Sequence, residues 1–266
     1  SLWAARCRTT GSITAAEMRK PGRIRLWAVI FWLAVWQGAS MAIRQDLFLV
    51  SPVRVIARLG QLAAEGAFWA SIASSLVRIG SGFLLAAALG AALAVLAARF
   101  SRVRELLAPL MLTVKSVPVA SFIILALLLF SSRHLAALIS FLIVLPVVYT
   151  NVLAGIQEMD RNLWEMARVF QIPAGRRARY LALPQVLPYF RSACTVAIGL
   201  SWKAGVAAEV IGMPEGSIGE QLQQAKIYLN TPDLLAWTVV IILISLGFEK
   251  IFLTLMDWAG HRLERM

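Results

Sequence analysis

Charged residues are scarce in this sequence. They make up 15% of its 266 positions, whereas an average soluble domain carries about a quarter. Hydrophobic residues make up 59%, and the mean hydropathy is +0.74. So large an apolar fraction exceeds what one water-soluble core can bury, which excludes a soluble enzyme. The class that remains is an integral membrane protein.

The side chains that build metal sites and nucleophilic centres are also few. The two cysteines, Cys7 and Cys194, are too few and too far apart for a metal site or a disulfide scaffold. His134 and His261 fall in a loop and in the C-terminal tail, without the serine or cysteine partner that nucleophilic catalysis requires. An intramembrane enzyme would need such a cluster, or paired carboxylates, inside the apolar segments, and the sequence shows none.

A nucleotide-binding P-loop is missing as well. This loop requires G-x-x-x-x-G-K-[ST], whose backbone N–H groups surround the phosphates. None of the five lysines follows that pattern: Lys20, Lys115, Lys203, Lys226 and Lys250. We therefore expect this chain to bind no cofactor, and any chemistry of ATP and Mg to take place on a separate chain.

Positive charge is in excess, with 26 Lys and Arg against 14 Asp and Glu, a net charge of +12. The basic residues stand between the apolar runs and not along one face, so membrane topology explains them and no nucleic-acid partner is expected. Sixteen of them fall on one side of the predicted membrane and five on the other. The positive-inside rule then predicts that both termini are cytoplasmic.

Six apolar runs approach the length of about 20 residues that crosses a bilayer. They are residues 26–43, 79–98, 116–132, 134–157, 186–208 and 234–256. The predicted fold is an all-α integral membrane bundle of about six transmembrane helices. Its transmembrane domain would cover 26–258, between a cytoplasmic N-terminal segment, 1–25, and a cytoplasmic tail, 259–266.

Two local patterns refine this bundle. Ser51-Pro52 begins an amphipathic stretch that reads to Trp69, typical of a capped helix lying at the outer membrane interface. Gly80, Gly82 and Gly90 lie along the second apolar run. Because small residues let helix backbones approach closely, this run is expected to pack inside the bundle.

The longest connection between apolar runs, residues 158–185, reads EMDRNLWEMARVFQIPAGRRARYLALPQ. Its charged, amphipathic pattern predicts two helical stretches with a turn at Pro173-Ala174-Gly175. An apolar face in water needs a cover, which predicts a docking site for a soluble partner. The residues expected to share this face at helical spacing are Leu163, Met166, Ala167 and Phe170.

This connection resembles the EAA loop of bacterial ATP-binding-cassette (ABC) importer permeases, whose pattern is E-A-A-x3-G-x9-I-x-L-P. Glu165-Met166-Ala167 stands at the first three positions, and Leu181 and Leu183-Pro184 stand at the last ones. Gln171 replaces the family's Gly, a residue that usually signals a positive φ or a close approach. Gly175 is the alternative source of that flexibility. By resemblance, the residues expected to couple to an ATPase are Glu165, Met166, Ala167, Phe170, Gln171, Gly175, Leu183 and Pro184.

Other segments are similar to the nitrate/sulfonate/taurine-type group of these permeases. The group's W-F-G signature is absent, since Leu129-Phe130-Ser131 stands in its place. The similar segments are Ser51-Pro52-Val53, Lys115-Ser116-Val117-Pro118, Pro146 with Asn151 and Gly155, and Ser201-Trp202-Lys203 with Ala208-Glu209.

The resemblance implies a non-catalytic permease subunit of an ABC importer in the bacterial cytoplasmic (inner) membrane. Two permease subunits, expected to be a homodimer, would form the translocation path in the lipid bilayer. Two ATPase subunits would bind ATP and Mg and drive alternating access through the coupling helices. An extracytoplasmic binding protein would deliver a small solute, with an anion such as nitrate, a sulfonate or taurine favoured. The alternative is the coupling subunit of an energy-coupling-factor vitamin transporter, which also docks on ATPases.

Lys203 and Glu209 are ionisable residues inside the fifth apolar run, so both are candidates for the translocation path. Lys203 could attract an anionic substrate or pair with Glu209 across a break at Gly205. It could equally snorkel to the interface or hold a structural ion pair. Lys115, close before Pro118, is expected to be an anchor at the membrane boundary.

Overall fold

The computed structural model describes residues 26–43 and 50–265, and the predicted N-terminal segment 1–25 lies outside them. Within the described residues the regular secondary structure is entirely helical, which confirms the all-α membrane fold. The helices are α1 (Leu26–Ile43), α2 (Pro52–Ala63), α3 (Gly66–Arg99), α4 (Ser101–Ser116), α5 (Val119–Leu129), α6 (Ser132–Gln157), α7 (Arg161–Val169), α8 (Ala174–Arg177), α9 (Leu183–Gly212), α10 (Ile218–Ile227) and α11 (Thr231–Arg265), with a π-helical turn, Ala178–Ala182, before α9.

Four helical segments of the described chain are long and apolar enough to cross a membrane: Gly66–Arg99, Ser132–Gln157, Ala174–Gly212 and Thr231–Trp258. They contain the predicted second, fourth, fifth and sixth runs and extend beyond each. The first predicted run coincides with α1, which is shorter than these segments. The interfacial helix α2 ends at Ala63, so the predicted stretch to Trp69 belongs partly to α3.

The third predicted run, 116–132, is divided in the structure between the end of α4 and α5, and these two helices are apolar enough to cross a membrane only as a bent pair. Helix α4 ends at Ser116, α5 begins at Val119, and the two are bent by 103°. Proline causes the break, because Pro118 has no N–H to donate and disfavours helical geometry at Val117. Val117 has ψ 131° and Pro118 has ψ 131°, both extended.

Helices α3, α6 and α9 form the main core. The expectation that the glycines of α3 face other helices is confirmed, since Gly80, Gly82 and Gly90 are all buried. A Cβ on Gly82 would lie 2.2 Å from the carbonyl oxygen of Ala137, so α3 and α6 touch backbone to backbone there. Helix α9 packs against both of these helices.

A second, smaller core joins α2, the first turn of α3, α10 and α11 around Phe68 and Trp237, whose ring centroids are 5.0 Å apart. The side chain of Arg58 on α2 forms an ion pair with Asp233 on α11, and the hydrogen bond to Asp233 raises the pKa of Arg58. Helix α9 connects residues 158–182 to residues 213–230, so these two connections lie at opposite ends of the bundle.

Candidate functional site

The connection that resembles the EAA loop begins with a capped helix. The carboxylate of Asp160 accepts a hydrogen bond from the Asn162 N–H at 2.8 Å, which satisfies a free donor in the first turn of α7. The helix ends in a Schellman motif, in which the Ile172 N–H donates to the Ala167 carbonyl and the Gln171 N–H donates to Arg168, both at 3.0 Å.

Gln171 holds the left-handed position of this motif, with φ 50°. Glycine is favoured there, which explains why the family pattern has Gly at this position. The expectation that Gly175 supplies the left-handed backbone in place of residue 171 is therefore wrong. Gly175 lies within α8, and its φ is not positive.

Gln171→Gly is expected to make the connection more stable. A left-handed L-residue costs about 1–2 kcal/mol, and the extra freedom of unfolded glycine offsets about 0.5–1 kcal/mol of that gain. Cleavage by trypsin at Arg176 and Arg177 should slow about two- to fivefold, because local opening becomes rarer. Gln171→Ile should accelerate cleavage, since a β-branched residue tolerates positive φ poorly. Equal rates in all three proteins would contradict this account.

The apolar face of α7 differs from the predicted one in two residues. Ala167 is fully buried and packs toward the protein, so its placement on the outer face is wrong. Val169, which was not predicted to lie on this face, is 78% exposed, and Phe170 is 72% exposed. The period from Leu163 through Met166 to Val169 could have revealed it. We call Leu163, Met166, Val169 and Phe170 the docking stripe, and Glu165 lies beside it, also exposed.

Contacts on the inner side hold α7 against the bundle. The Asp160 N–H donates to the side chain of Gln185 at 3.0 Å, and the guanidinium of Arg177 lies 5.9 Å from the ring centroid of Trp164. Leu183 and Pro184, predicted as coupling residues, form the first turn of α9 and are both exposed. Residues 158–182, which we call the elbow, are thus held against the bundle and present the docking stripe on their outer side.

A cavity of about 420 Å³ opens where α4 and α5 bend, with walls from α6 and α9. Its charged lining residues are Lys115 and Lys203. The Lys115 ammonium donates to the Thr150 hydroxyl at 3.3 Å. Lys115, predicted to be an anchor at the membrane boundary, lines this cavity together with Pro146 and Val147, which lie near the middle of α6.

Lys203 and Glu209 do not meet. Helix α9 continues through Gly205 without a break, so the predicted pairing across a break is wrong. Lys203 is exposed to the cavity, whereas Glu209 is fully buried on another side of the helix. Glu209 therefore lies away from the cavity that Lys203 lines.

Glu209 joins α3 to the connection between α9 and α10. One carboxyl oxygen accepts hydrogen bonds from the Ser75 hydroxyl at 2.7 Å and the Gly219 N–H at 3.3 Å. The other lies 3.9 Å from the guanidinium of Arg78, and the Ile218 N–H donates to Ser75 at 2.9 Å. Ser75 and Arg78 were not predicted as functional residues, although two polar residues three apart, directly before the apolar run 79–98, were a usable signal.

Comparisons with known proteins agree with a membrane protein of the permease type. The family described as "Binding-protein-dependent transport system inner membrane component" matches residues 86–265, which include the cavity and the whole of the elbow. The chain is 28% identical to the putative aliphatic sulfonates transport permease protein of Bacillus subtilis, over 85% of this chain and 84% of that protein. It is 26% identical to the taurine transport system permease protein of Escherichia coli, over 85% and 86% of the two chains.

A third relative is the bicarbonate transport system permease protein of Synechococcus elongatus, 26% identical over 73% of this chain and 70% of that one. The resemblance first carried by the Glu165-Met166-Ala167 segment is thereby confirmed over more than half of the sequence. Together with the multi-pass helical bundle, these matches show that the chain belongs to the family of binding-protein-dependent transport system inner membrane components, the permeases of ABC transporters.

Proposed function

We propose that this chain is the permease subunit of an ABC importer, coupled through its 158–182 elbow to ATPase subunits made as separate chains. The observation that carries this proposal is the docking stripe. It places large apolar side chains in water on a helix that is braced from behind, and such a surface fits the groove of a soluble partner. The absence of a P-loop in the sequence supports nucleotide chemistry on that partner.

The proposed orientation puts the elbow in the cytoplasm and the 213–230 end outside. The arginines of the elbow support this, because basic residues collect on the cytoplasmic side: Arg161, Arg168, Arg176, Arg177 and Arg179. An extracytoplasmic binding protein would then deliver its solute at the 213–230 end. Two copies of the chain, as a homodimer, would enclose the translocation path between them, with both termini of each in the cytoplasm.

The proposed solute is small and anionic. Relatives are named for aliphatic sulfonates, taurine and bicarbonate, which share an anionic oxygen-bearing group. Lys203 is the proposed residue of the path, since it lines a cavity at the middle of the bundle. Glu209 is left out of the path, because its carboxyl group is fully buried against α3 and α10.

Site-specific photocrosslinking tests this function. A photoreactive amino acid in place of Met166, inside the docking stripe, should crosslink in membranes of the native host to a protein that carries a P-loop. The matched control is the same replacement at Tyr228, which is 79% exposed at the opposite end of the bundle and should not capture the ATPase. Capture of the ATPase by position 228 and not by position 166 would overturn both the coupling surface and the orientation.

A further inference from the structure

The cavity at the bend of α4 and α5 is set at membrane depth. Its α6 wall runs from Ile139 to Val147, near the middle of a helix that spans Ser132–Gln157. Backbone that leaves helical geometry within a membrane is tolerated where protein buries it or where it borders water. Val117 lines the cavity and Pro118 is exposed, so the rest of this chain does not bury the extended backbone. The second case then applies, in which the cavity holds water or a polar ligand.

Two positive charges face this space without a negative partner. Among the described residues, neither Lys115 nor Lys203 forms an ion pair, and the one polar contact of Lys115 is the neutral hydroxyl of Thr150. Val119, the first residue of α5, also lines the cavity, so the positive end of that helix dipole adds to the potential. Uncompensated cations at this depth are costly, and a ligand of opposite charge would compensate them.

We propose that this cavity binds one small anion, with the Lys115 and Lys203 ammonium groups holding its oxyanion end from two sides. The remaining walls are apolar, formed by side chains such as Phe122, Leu142 and Leu200. They fit a short hydrocarbon tail, so an organic sulfonate or carboxylate satisfies the whole lining better than a bare inorganic ion. The site rests on the proposed function, because it would be the point in the translocation path where the solute is held.

A lipid headgroup offers the same chemistry, since its phosphate is also an oxyanion. The depth of the cavity disfavours it, because headgroups lie at the ends of membrane helices and this wall lies near the middle of α6. The size of the space, about 420 Å³, is that of a pocket for a small molecule.

Reaction rates of a cysteine in the cavity measure its potential. Ala207 lies one helical turn after Lys203 and lines the same space, so Ala207→Cys provides the probe site. The full chain, carrying Cys7→Ser, is placed in phosphatidylcholine nanodiscs and treated with anionic sulfonatoethyl or cationic trimethylammonioethyl methanethiosulfonate. Buried Cys194 remains in all proteins, and the parent without Ala207→Cys gives its baseline.

The quantity compared is the ratio of the anionic reagent's rate to the cationic reagent's rate. We expect this ratio to be about tenfold or more higher in the Ala207→Cys protein than in the same protein carrying Lys115→Gln/Lys203→Gln. Lys250→Gln, an exposed lysine of α11 outside the cavity, is the matched control and should leave the ratio unchanged. Methanesulfonate should slow labelling, and the neutral dimethyl sulfone at equal concentration should not.

An unchanged ratio in the double variant would overturn the proposal. So would a preference seen in phosphatidylcholine and lost in phosphatidylglycerol nanodiscs, because a lipid headgroup would then occupy the site. The labelling needs neither ATP nor a partner protein. A negative result therefore refutes the anion site alone, whereas failure of the crosslink at position 166 refutes the coupling to an ATPase.

Discussion

Phe170→Asp is expected to abolish ATP-driven transport while the membrane bundle stays folded. Phe170 is 72% exposed at the C-terminal end of α7, so the fold does not depend on its packing. At a docking interface a buried aromatic is commonly worth about 2 kcal/mol or more, which is about a 30-fold loss of affinity, and a buried aspartate adds a desolvation cost. Uptake by proteoliposomes containing the ATPase partners, together with co-purification of those partners, measures the effect.

Three further variants separate docking from folding. Tyr228→Asp changes an equally exposed aromatic at the opposite end of the bundle and should leave ATPase binding intact. Ala167→Asp puts a charge into a fully buried position, so it should loosen the elbow itself and lower its resistance to protease. Glu165→Arg acts from the exposed surface and should weaken coupling without that loss. Full uptake by Phe170→Asp would show that the docking stripe is not the coupling surface.

The long membrane helices could be predicted because hydropathy alone determines them. Removing some twenty apolar residues from water outweighs every local preference, so the runs at 134–157 and 234–256 each fall inside one helix. Hydropathy did not reveal the bend between α4 and α5, because the apolar run was placed from Ser116 onward and left out α4, which is much less apolar than α5. Only the geometry that Pro118 imposes distinguishes two short helices from one span.

The elbow shows where a motif helps and where it does not. The spacing of Glu165 and Leu183-Pro184 located the connection and the start of α9 correctly. The direction in which Ala167 faces depends on how α7 sits against the bundle, through contacts such as Asp160 with Gln185, and periodicity within nine residues cannot supply that. Two hydrogen bonds hold the left-handed backbone at Gln171. The glutamine itself gives no reason to expect that conformation, and only the glycine at this position of the family pattern indicates it.

The charged residues of α9 were the least predictable. Lys203 and Glu209 are six positions apart, so on a continuous helix they face different sides. The partners of Glu209 come from Ser75, more than a hundred residues earlier, and from the connection to α10. The local pattern shows that Ser75 and Arg78 are polar residues within an apolar helix, but not which distant residue they contact. The cavity position of Lys203 depends on a bend that hydropathy does not detect.

Glu209→Ala is expected to cause the largest loss of stability among single substitutions of the polar residues described above. It removes the acceptor of two buried donors, the Ser75 hydroxyl and the Gly219 N–H, and leaves the largely buried guanidinium of Arg78 without its ion-pair partner. Breaking a buried pair by removing one member costs about 3–5 kcal/mol. The midpoint of thermal unfolding in detergent should fall by about 10 °C.

A double-mutant cycle distinguishes this account from a simple cavity effect. Arg78→Leu/Glu209→Leu removes both charges together, so it should be more stable than Glu209→Leu alone, because no unpaired cation remains. Glu215→Ala removes an exposed carboxylate from the same connection and should shift the midpoint by less than about 2 °C. If the double variant is as unstable as the sum of the singles, Arg78 and Glu209 are not coupled, and the carboxyl group of Glu209 acts through Ser75 and Gly219 alone.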